Sequence, residues 1–253
     1  MATISRKSWN KYIADLRKIS DKAADEALTY IRTHPIATPA EMQRFIEYAF
    51  ALATKYGEAS GALACEMYDA LAVLSGKVVP PAVPAKTASY GDIAKAVYGT
   101  IRQNPELTSS AIGRQVKLVG VDTMQQNALR DGAEWAWIPS GDTCAFCLTL
   151  ASRGWQKASR KAIKNGHAEH VHANCDCTYA VRLSDRVDVE GYNPDEYLKM
   201  YEDADGNTPT QRINALRREF YAENKETINE QKRSAYAKRR ERDSSEAEEI
   251  NVD

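Results

Sequence analysis

What the chain lacks limits what it can be. The 253-residue sequence has no apolar run approaching the roughly 18 residues that a membrane span requires. Its 34 basic and 35 acidic residues nearly cancel, so no overall field recruits nucleic acid or a membrane. It contains no internal repeat, no Walker-type phosphate loop and no nucleophile elbow with triad partners. We therefore expect a soluble, largely helical intracellular protein, long enough to bury a real core.

Cysteine is scarce as well, yet its distribution is uneven. Four of the five cysteines and three of the four histidines fall between Cys144 and Cys177. Met1 begins a polar segment without the apolar core of a signal peptide, so we expect a reducing compartment in which disulfides are disfavoured. The remaining cysteine, Cys65, lies on an apolar helical face and is predicted to be a buried core thiol.

The clustered residues have the spacing of a zinc site. Cys144 and Cys147 form a C-x2-C pair, and His172, Cys175 and Cys177 follow after 24, 27 and 29 intervening residues. This arrangement is typical of tetrahedral zinc, and thiolate with imidazole ligands favours zinc over calcium, magnesium or manganese. Five soft ligands exceed the four that a closed site needs. We predict one structural Zn²⁺, held by Cys144, Cys147, His172 and one of Cys175 or Cys177.

A catalytic metal is the alternative interpretation. A catalytic zinc keeps one open position beside a general base, and His167-Ala-Glu169 is an H-x-E triplet of the kind that zinc deaminases use. In those enzymes the triplet precedes the cysteine pair, whereas here it follows, so the deaminase interpretation is disfavoured. A zinc-dependent nuclease or nucleic-acid-modifying enzyme acting through Glu169, His170 or His172 stays open. The number of protein ligands on the metal would discriminate the two classes.

Apolar periodicity predicts a mainly α fold with a small zinc-stapled β element. Apolar residues recur every three or four positions from Trp9 to Ile31, and again along a second helix that begins after Thr38-Pro39. Residues 1–77 are therefore predicted to form an antiparallel N-terminal helical hairpin. Small residues at the centre of its second helix, at positions 57–62, indicate close approach of another helix. Three prolines make residues 78–88 an extended connector and the best candidate for a boundary.

The second half of the chain is predicted to contain the metal module. Residues 89–190 combine shorter helices, interrupted at Pro105 and Gly120, with the zinc-knuckle core. Alternating segments at 134–139 and 178–183 predict two strands that lead into the two groups of ligands, which gives an α+β module. Residues 191–253 are predicted as a long C-terminal helix, to about Arg242, and a disordered acidic tail.

Two basic segments have both a solvated and a nucleic-acid-binding interpretation. One lies between the cysteine groups, where Trp155 is a candidate for stacking on a base, and the other lies in the C-terminal helix. The candidate residues for nucleic-acid contacts are Arg153, Lys157, Lys161, Lys238, Arg239 and Arg240. Basic runs of this length suit solvent, DNA or an acidic protein, so the spacing does not discriminate.

The motif region resembles a known phage family. Residues 135–147, which read Trp-x-Trp-Ile-Pro-Ser-Gly-Asp-Thr-Cys-x-x-Cys, a glycine at 154 and the closing His172-Ala-Asn-Cys175-Asp-Cys177 are similar to the core of tailed-phage minor head, or head-morphogenesis, proteins of the Mu protein F-like family. The resemblance covers about residues 130–183. Ala173 departs from the family pattern, in which a proline often follows the histidine.

The resemblance implies a non-enzymatic structural component of the virion head, present in the host cytoplasm during assembly. The implied partners are the portal protein and the major capsid protein, with phage DNA as a further contact and no membrane. Such a protein would assist head assembly and genome packaging or delivery. A third class, a zinc-stapled DNA-binding regulator, is disfavoured by the neutral charge and by the lack of a recognition helix after the cysteine pair.

Overall fold

The structure is a computed structural model that describes residues 2–140, 144–160 and 177–250, the last stretch with only part of its side chains. The described residues are mainly helical with small sheets, which confirms the predicted fold class at that level. The helices are α1 (Arg6–Thr33), α2 (Pro39–Leu74), α3 (Tyr90–Thr100), α4 (Pro105–Asp131), α5 (Ala145–Ala151), α6 (Pro194–Asp203) and α7 (Pro209–Ile250). The strands are β1 (Ala2–Ile4), β2 (Glu134–Ile138), β3 (Gln156–Lys157), β4 (Thr178–Arg182) and β5 (Val187–Val189).

Local signals set the helix ends. At the start of α2 the backbone N–H of Glu41 donates to the Thr38 hydroxyl at 3.2 Å, and the backbone N–H of Thr38 donates to the Glu41 carboxylate at 2.8 Å. With Pro39 in the first turn, this reciprocal cap starts α2 where the sequence predicts. Side chains of Ser5 and Asn104 cap α1 and α4.

Helices α1, α2 and α4 form the main bundle, in which α4 packs against both of the others. Trp9 near the start of α1 shares a buried cluster with Leu71 near the end of α2. Ala27 near the end of α1 lies in a second buried cluster with Phe45 near the start of α2. The two helices therefore run antiparallel, the arrangement that their short connection favours.

Gly120 does not interrupt a helix, contrary to the prediction. Helix α4 continues through it, and a Cβ at this position would lie 2.8 Å from Ser60 Oγ and 3.0 Å from Leu16 Cδ2. The glycine thus lets α4 approach α1 and α2 closely, and the predicted approach of a helix to the centre of α2 is confirmed. Burial of this face outweighs the cost of about 1 kcal/mol that glycine adds to a helix.

The proline-rich segment 77–89 contains neither helix nor strand and lies along α2 and α4 as a strap. The backbone N–H of Ala82 donates to the Asp69 carboxylate at 2.8 Å, and that of Val83 donates to the side-chain oxygen of Asn127 at 3.0 Å. The Arg130 guanidinium donates to two carbonyls of the proline run. Side chains of the two helices therefore satisfy backbone groups that proline-rich chain cannot pair with itself, and the helices on both sides of the strap share one core.

Two small sheets complete the described fold. In one sheet β2 lies between β3 and β4, antiparallel to both, and in the other β1 pairs in parallel with β5. The strands β2 and β4 confirm the two predicted from alternation. Strands β1, β3 and β5 were not predicted, because two or three residues are too few for an alternating pattern.

Helix α7 is longer than predicted. It continues to Ile250, so the prediction of a disordered acidic tail is wrong for residues 243–250. Extending an existing helix is easier than starting one, because each added residue gains a hydrogen bond without a new nucleus. Among the described residues, no helix combines the length and the apolar character needed to cross a membrane.

Candidate metal centre

The end of β2 and the start of β4 lie side by side, and the predicted ligands follow the first and precede the second in sequence. In the antiparallel register of β2 and β4, Ile138 lies opposite Thr178. Pro139 follows directly after β2 and Cys177 directly precedes β4, so the chain departs and returns at the same end of the strand pair. Cys144 and Cys147 therefore lie on the segment that connects β2 to β4, and Cys177 lies at its end.

The C-x2-C pair lies at the start of a helix, whereas the sequence predicts a knuckle. Cys144 has an extended backbone, with φ −73° and ψ 155°, and is exposed just before α5. Cys147 lies within α5 and is only 1 % exposed. The backbone N–H of Leu148 donates to the Cys144 carbonyl at 3.0 Å, which closes the first helical turn. One thiol of the pair therefore faces solvent and the other faces the core.

An aromatic wall lies beside the buried thiols. Alternation along β4 places Cys177 on the same face as Tyr179, and Cys177 is also 1 % exposed. Trp135 and Trp137 of β2 each meet the Tyr179 ring edge-on, with centroids 4.6 Å apart. Burial raises the pKa of the Tyr179 hydroxyl, and the nearby Cys147 adds to this rise. The structure therefore brings Cys147 and Cys177 into one buried cluster.

The complete ligand set extends beyond the described residues. His172 and Cys175 lie outside them, as do Lys161, His167, Glu169 and His170. Within ranges 2–140, 144–160 and 177–250, no group of three His, Cys, Asp or Glu side chains is arranged to hold a metal. No disulfide joins the cysteines of those ranges. Thiols are ligands that zinc prefers, so Cys144, Cys147 and Cys177 have the chemistry of a thiolate-rich site that His172 or Cys175 would complete, and zinc stays a prediction.

Cys65 is less buried than predicted. It is only partly buried, on the side of α2 that lies next to the Tyr12 hydroxyl of α1. Burial still raises the pKa of its thiol. The apolar periodicity places Cys65 correctly at the α1–α2 interface, but at its margin.

The predicted nucleic-acid residues differ in their surroundings. Arg153 and Lys157 are exposed, and the side chains of the basic run in α7 lie outside the described part. Trp155 is engaged in packing: its indole N–H donates to Asp188 at 3.2 Å, and the Arg182 guanidinium lies 4.6 Å from its ring centroid. Stacking of Trp155 on a base would require this arrangement to open, so the structure favours a packing role for it.

Two hydrogen bonds of Arg6, which we call the Arg6 clamp and which the sequence does not predict, hold the start of α1 to Pro139 and Glu190. The Arg6 guanidinium donates through Nη2 to the Pro139 carbonyl at 2.7 Å, and the Glu190 carboxylate accepts from the Arg6 backbone N–H at 2.8 Å. These partners are 133 and 184 residues from Arg6 along the chain, so no local pattern could have revealed them.

An open cleft of about 470 Å³ lies at the opposite end of α1 from the clamp. The 28 residues of α1 span about 42 Å, which separates the cleft from the cysteine segment. Arg32 in its wall pairs with Glu106 at 3.2 Å, and the His34 ring stacks on Tyr30 with centroids 4.1 Å apart. None of the predicted site residues lines this cleft.

Comparison with known families identifies the class of protein. Residues 3–204, most of the chain, match the model of the VG15 protein family, so the chain belongs to that family, which is one of phage proteins. The match includes the bundle, both sheets and the cysteine segment, and it ends before α7 begins. Neither the curated proteins nor the solved structures that were compared include a match. The prediction of a phage protein is confirmed at this level.

Proposed function

We propose that this phage protein is a non-enzymatic minor head protein. It docks near the portal vertex, contacts the portal protein and the major capsid protein, and assists head assembly and genome packaging or delivery. The observation that carries the proposal is the resemblance of residues 130–183 to Mu F-like head proteins, within a chain that belongs to a phage family. Its location is then the virion head, reached through the host cytoplasm.

The metal has a structural role in this proposal. Cys144 and Cys147, with His172 and one of Cys175 or Cys177, would hold one Zn²⁺ at the mouth of the loop. When bound, the metal supplies binding free energy that orders the loop, because a preformed site is absent from the unfolded chain. Strands β2 and β4 have five residues each, and an ordered connection between them would add to the stability that their packing on the bundle supplies.

The metal module also carries the base of α7. Ala145 and Leu148 of α5 share a buried cluster with Ala215 and Leu216 of α7. Helix α5 begins directly after Cys144. Ordering of the cysteine pair would therefore fix the position of α5 and of the base of α7 that packs on it. In this proposal the zinc-bound segment, together with α5, is a rigid support for the base of α7.

Helix α7 supplies a surface for a partner. Its 42 residues span about 63 Å, and the described residues 221–226 beyond its base are exposed. Further along lies the basic run Lys238-Arg239-Arg240. This basic run would contact phage DNA or an acidic protein. If the partner is DNA, the affinity should fall steeply with salt, because phosphate contacts release counterions.

The test compares a phage lacking this gene with phages carrying Glu169→Ala and His170→Ala. A scaffold predicts that deletion lowers head yield or infectivity, whereas the two substitutions, which lie outside the proposed ligand set, leave both unchanged. Metal analysis of the purified protein should find one zinc per chain.

The contrary result would favour an enzyme. If either substitution abolished infectivity while zinc content and fold stayed normal, a zinc-dependent nuclease or nucleic-acid-modifying enzyme would replace the scaffold. Cys144→Ser serves as the matched loss-of-metal control, because it removes a proposed ligand without touching either residue.

A further inference from the structure

The strap between α2 and α3 has a regular pattern of burial. From residue 79 to residue 86 every third residue, namely Val79, Ala82 and Ala85, is partly buried, and the residues between them are exposed. Three residues per turn is the period of a polyproline II helix, which proline favours because its ring fixes φ in the range that this helix uses. The strap therefore lies on the bundle along one ridge of such a helix and turns its two other ridges toward solvent.

Hydrogen bonds hold the inner ridge of the strap at every backbone donor. The backbone N–H groups of Ala82 and Val83 donate to side chains of α2 and α4, and that of Ala85 donates to the Thr123 hydroxyl at 2.9 Å. The other three residues in the described range 80–85 are prolines, which have no N–H. No backbone donor in this range is left to pair with an added strand, so a partner would recognise the strap through its side chains.

Two glycines of α2 let the strap approach the bundle closely. A Cβ at Gly61 would lie 3.2 Å from the Cβ of Pro84, and a Cβ at Gly57 would lie 3.0 Å from Cγ2 of Thr87. The strap is thus packed on small residues and tied by hydrogen bonds along its length. A segment that is already ordered loses little conformational entropy when a partner binds it.

The two outer ridges of the strap are apolar. Val78 is fully exposed and Val83 is 55 % exposed. Pro81 and Pro84 are exposed as well, and in a helix with three residues per turn they lie on the same ridge, about 9 Å apart. Contiguous exposed apolar side chains on a folded protein mark sites of interaction.

Positive charge flanks these ridges. Lys77 and Lys86 lie at the two ends of the apolar run, and both are exposed. Residues 70–91 contain no acidic residue, so the formal charge of this segment is +2 from these two lysines. At about 3.1 Å per residue the two lysines are about 28 Å apart along the strap. A partner of complementary charge would place carboxylates near both of them.

We propose that the strap is the ligand for a groove on another head protein, a groove that is lined by aromatic side chains and rimmed by carboxylates. Aromatic-lined grooves bind polyproline II segments because the helix is preformed and presents its prolines along a ridge. The strap supplies the ridge with Pro81 and Pro84, and Lys86 supplies a charge for the rim. The inference rests on the proposed function, which makes the partner a head protein.

The experiment measures binding of the full chain to the purified portal protein and to the purified major capsid protein by surface plasmon resonance. Pro84→Ala removes one apolar contact and Lys86→Glu reverses one charge, and neither alters the hydrogen bonds that hold the strap. We expect each to weaken binding to one of the two proteins about 10-fold or more, as residues at the centre of an interface do. Pro35→Ala and Lys18→Glu, which are exposed outside the strap, are the matched controls and should bind as the unchanged chain does.

Photochemical cross-linking in infected cells locates the contact. A photoreactive amino acid at position 83 should cross-link to the same head protein, at a peptide that contains aromatic and acidic residues. The control places the same amino acid at position 98, because Tyr98 of α3 is 61 % exposed and lies outside the strap. It should not cross-link to that peptide.

The outcomes separate the inference from the proposed function. If the unchanged chain binds a head protein and either Pro84→Ala or Lys86→Glu binds it as tightly, the inference is overturned and the proposed function stands. A cross-link from position 83 to a peptide without aromatic and acidic residues also overturns the inference alone. If the unchanged chain binds neither head protein and position 83 cross-links to none, the proposed docking is wrong and the inference falls with it. Melting temperatures of the variants exclude unfolding as the cause of a loss, and if Pro84→Ala unfolds, Val83→Asp takes its place.

Discussion

The two ends of the helical bundle are closed in different ways. At one end Phe45, Ile46 and Val97 form a buried cluster with other residues of α1–α4 alone. At the other end the cluster that contains Trp9 also includes Trp137 of β2 and residues of β4. The first end is completed by helices that the apolar pattern already specifies. The second depends on a small sheet whose long loop must also be ordered, and loop ordering costs conformational entropy.

The difference between the two ends indicates which part of the protein would depend on a bound metal for its stability. A helix pair with a continuous apolar interface gains stability from burial at roughly 25 cal/mol per Å² of apolar surface. Strands β2 and β4 are almost fully buried against the bundle, but each has only five residues, and the cysteine segment between them gains less from packing of this kind. If zinc binds as proposed, the bundle should keep its structure when the metal is removed, and the cysteine segment should lose its structure.

The largest expected effect comes from removing a proposed ligand. Cys144→Ser should abolish hydrogen-exchange protection in β2, β4 and α5 while α1 and α2 keep theirs, since structural zinc contributes on the order of 10 kcal/mol to small metal-dependent folds. Hydrogen exchange followed by mass spectrometry would measure this. Cys65→Ser, on the bundle, is the control and should leave the module protected. Loss of protection in both regions together would show that they fold as one unit.

A smaller effect is expected when the bundle itself is overpacked. Gly120→Ala would place a Cβ 2.8 Å from Ser60 Oγ and should lower the free energy of unfolding by about 1–3 kcal/mol. Gly99→Ala in α3, where the new methyl group would meet nothing within 4 Å beyond its chain neighbours and its own helix backbone, should instead raise it by up to about 1 kcal/mol. Chemical denaturation measures both changes in the free energy of unfolding. Equal effects at the two positions would contradict the close helix contact.

The smallest effect concerns pH. The Asp131 carboxylate accepts a hydrogen bond from the Arg130 guanidinium at 2.7 Å and another from the Tyr68 hydroxyl at 2.7 Å. Both hydrogen bonds lower the pKa of this carboxyl. Because the folded pKa lies below the unfolded one of about 3.9, the stabilisation is present above that pH and is lost as the pH falls through the folded pKa.

Asp131→Asn should therefore cost about 1 kcal/mol near neutral pH, and the two proteins should converge in acid. Urea unfolding across the pH range checks this. Asp15→Asn, which removes an exposed pair with Lys11, should change little at any pH. A constant difference between Asp131→Asn and the unchanged protein down to the lowest pH would refute the ion pair as its cause.

Much of the bundle was predictable from local pattern. The capping box at Thr38, the helix period from Trp9 to Ile31 and the small residues opposite α4 all depend on neighbours within one helix. The strand at 134–138 and its partner at 178–182 were also predictable, because both alternate over five residues. The prediction that Gly120 interrupts a helix was wrong, because the close approach that requires a glycine there involves residues of α1 and α2 that are distant in sequence.

For the candidate site the sequence predicts the residue types, and that prediction stays a prediction because His172 and Cys175 lie outside the described residues. The spacing of Cys144, Cys147 and Cys177 indicated which residues belong together, and the structure places the last two in one buried cluster. That Trp155 packs beneath Arg182 depends on a strand pairing across the loop, which no local period reports.

By itself the sequence determined the main helices, their caps and the two longer strands, because each is encoded within a short stretch of residues. Only the tertiary structure decided that Arg6 clamps Pro139, that β1 joins β5 and that α5 carries the base of α7. These features require residues far apart in the chain to meet. Their free energy comes from packing and hydrogen bonds that exist only when the whole fold is assembled.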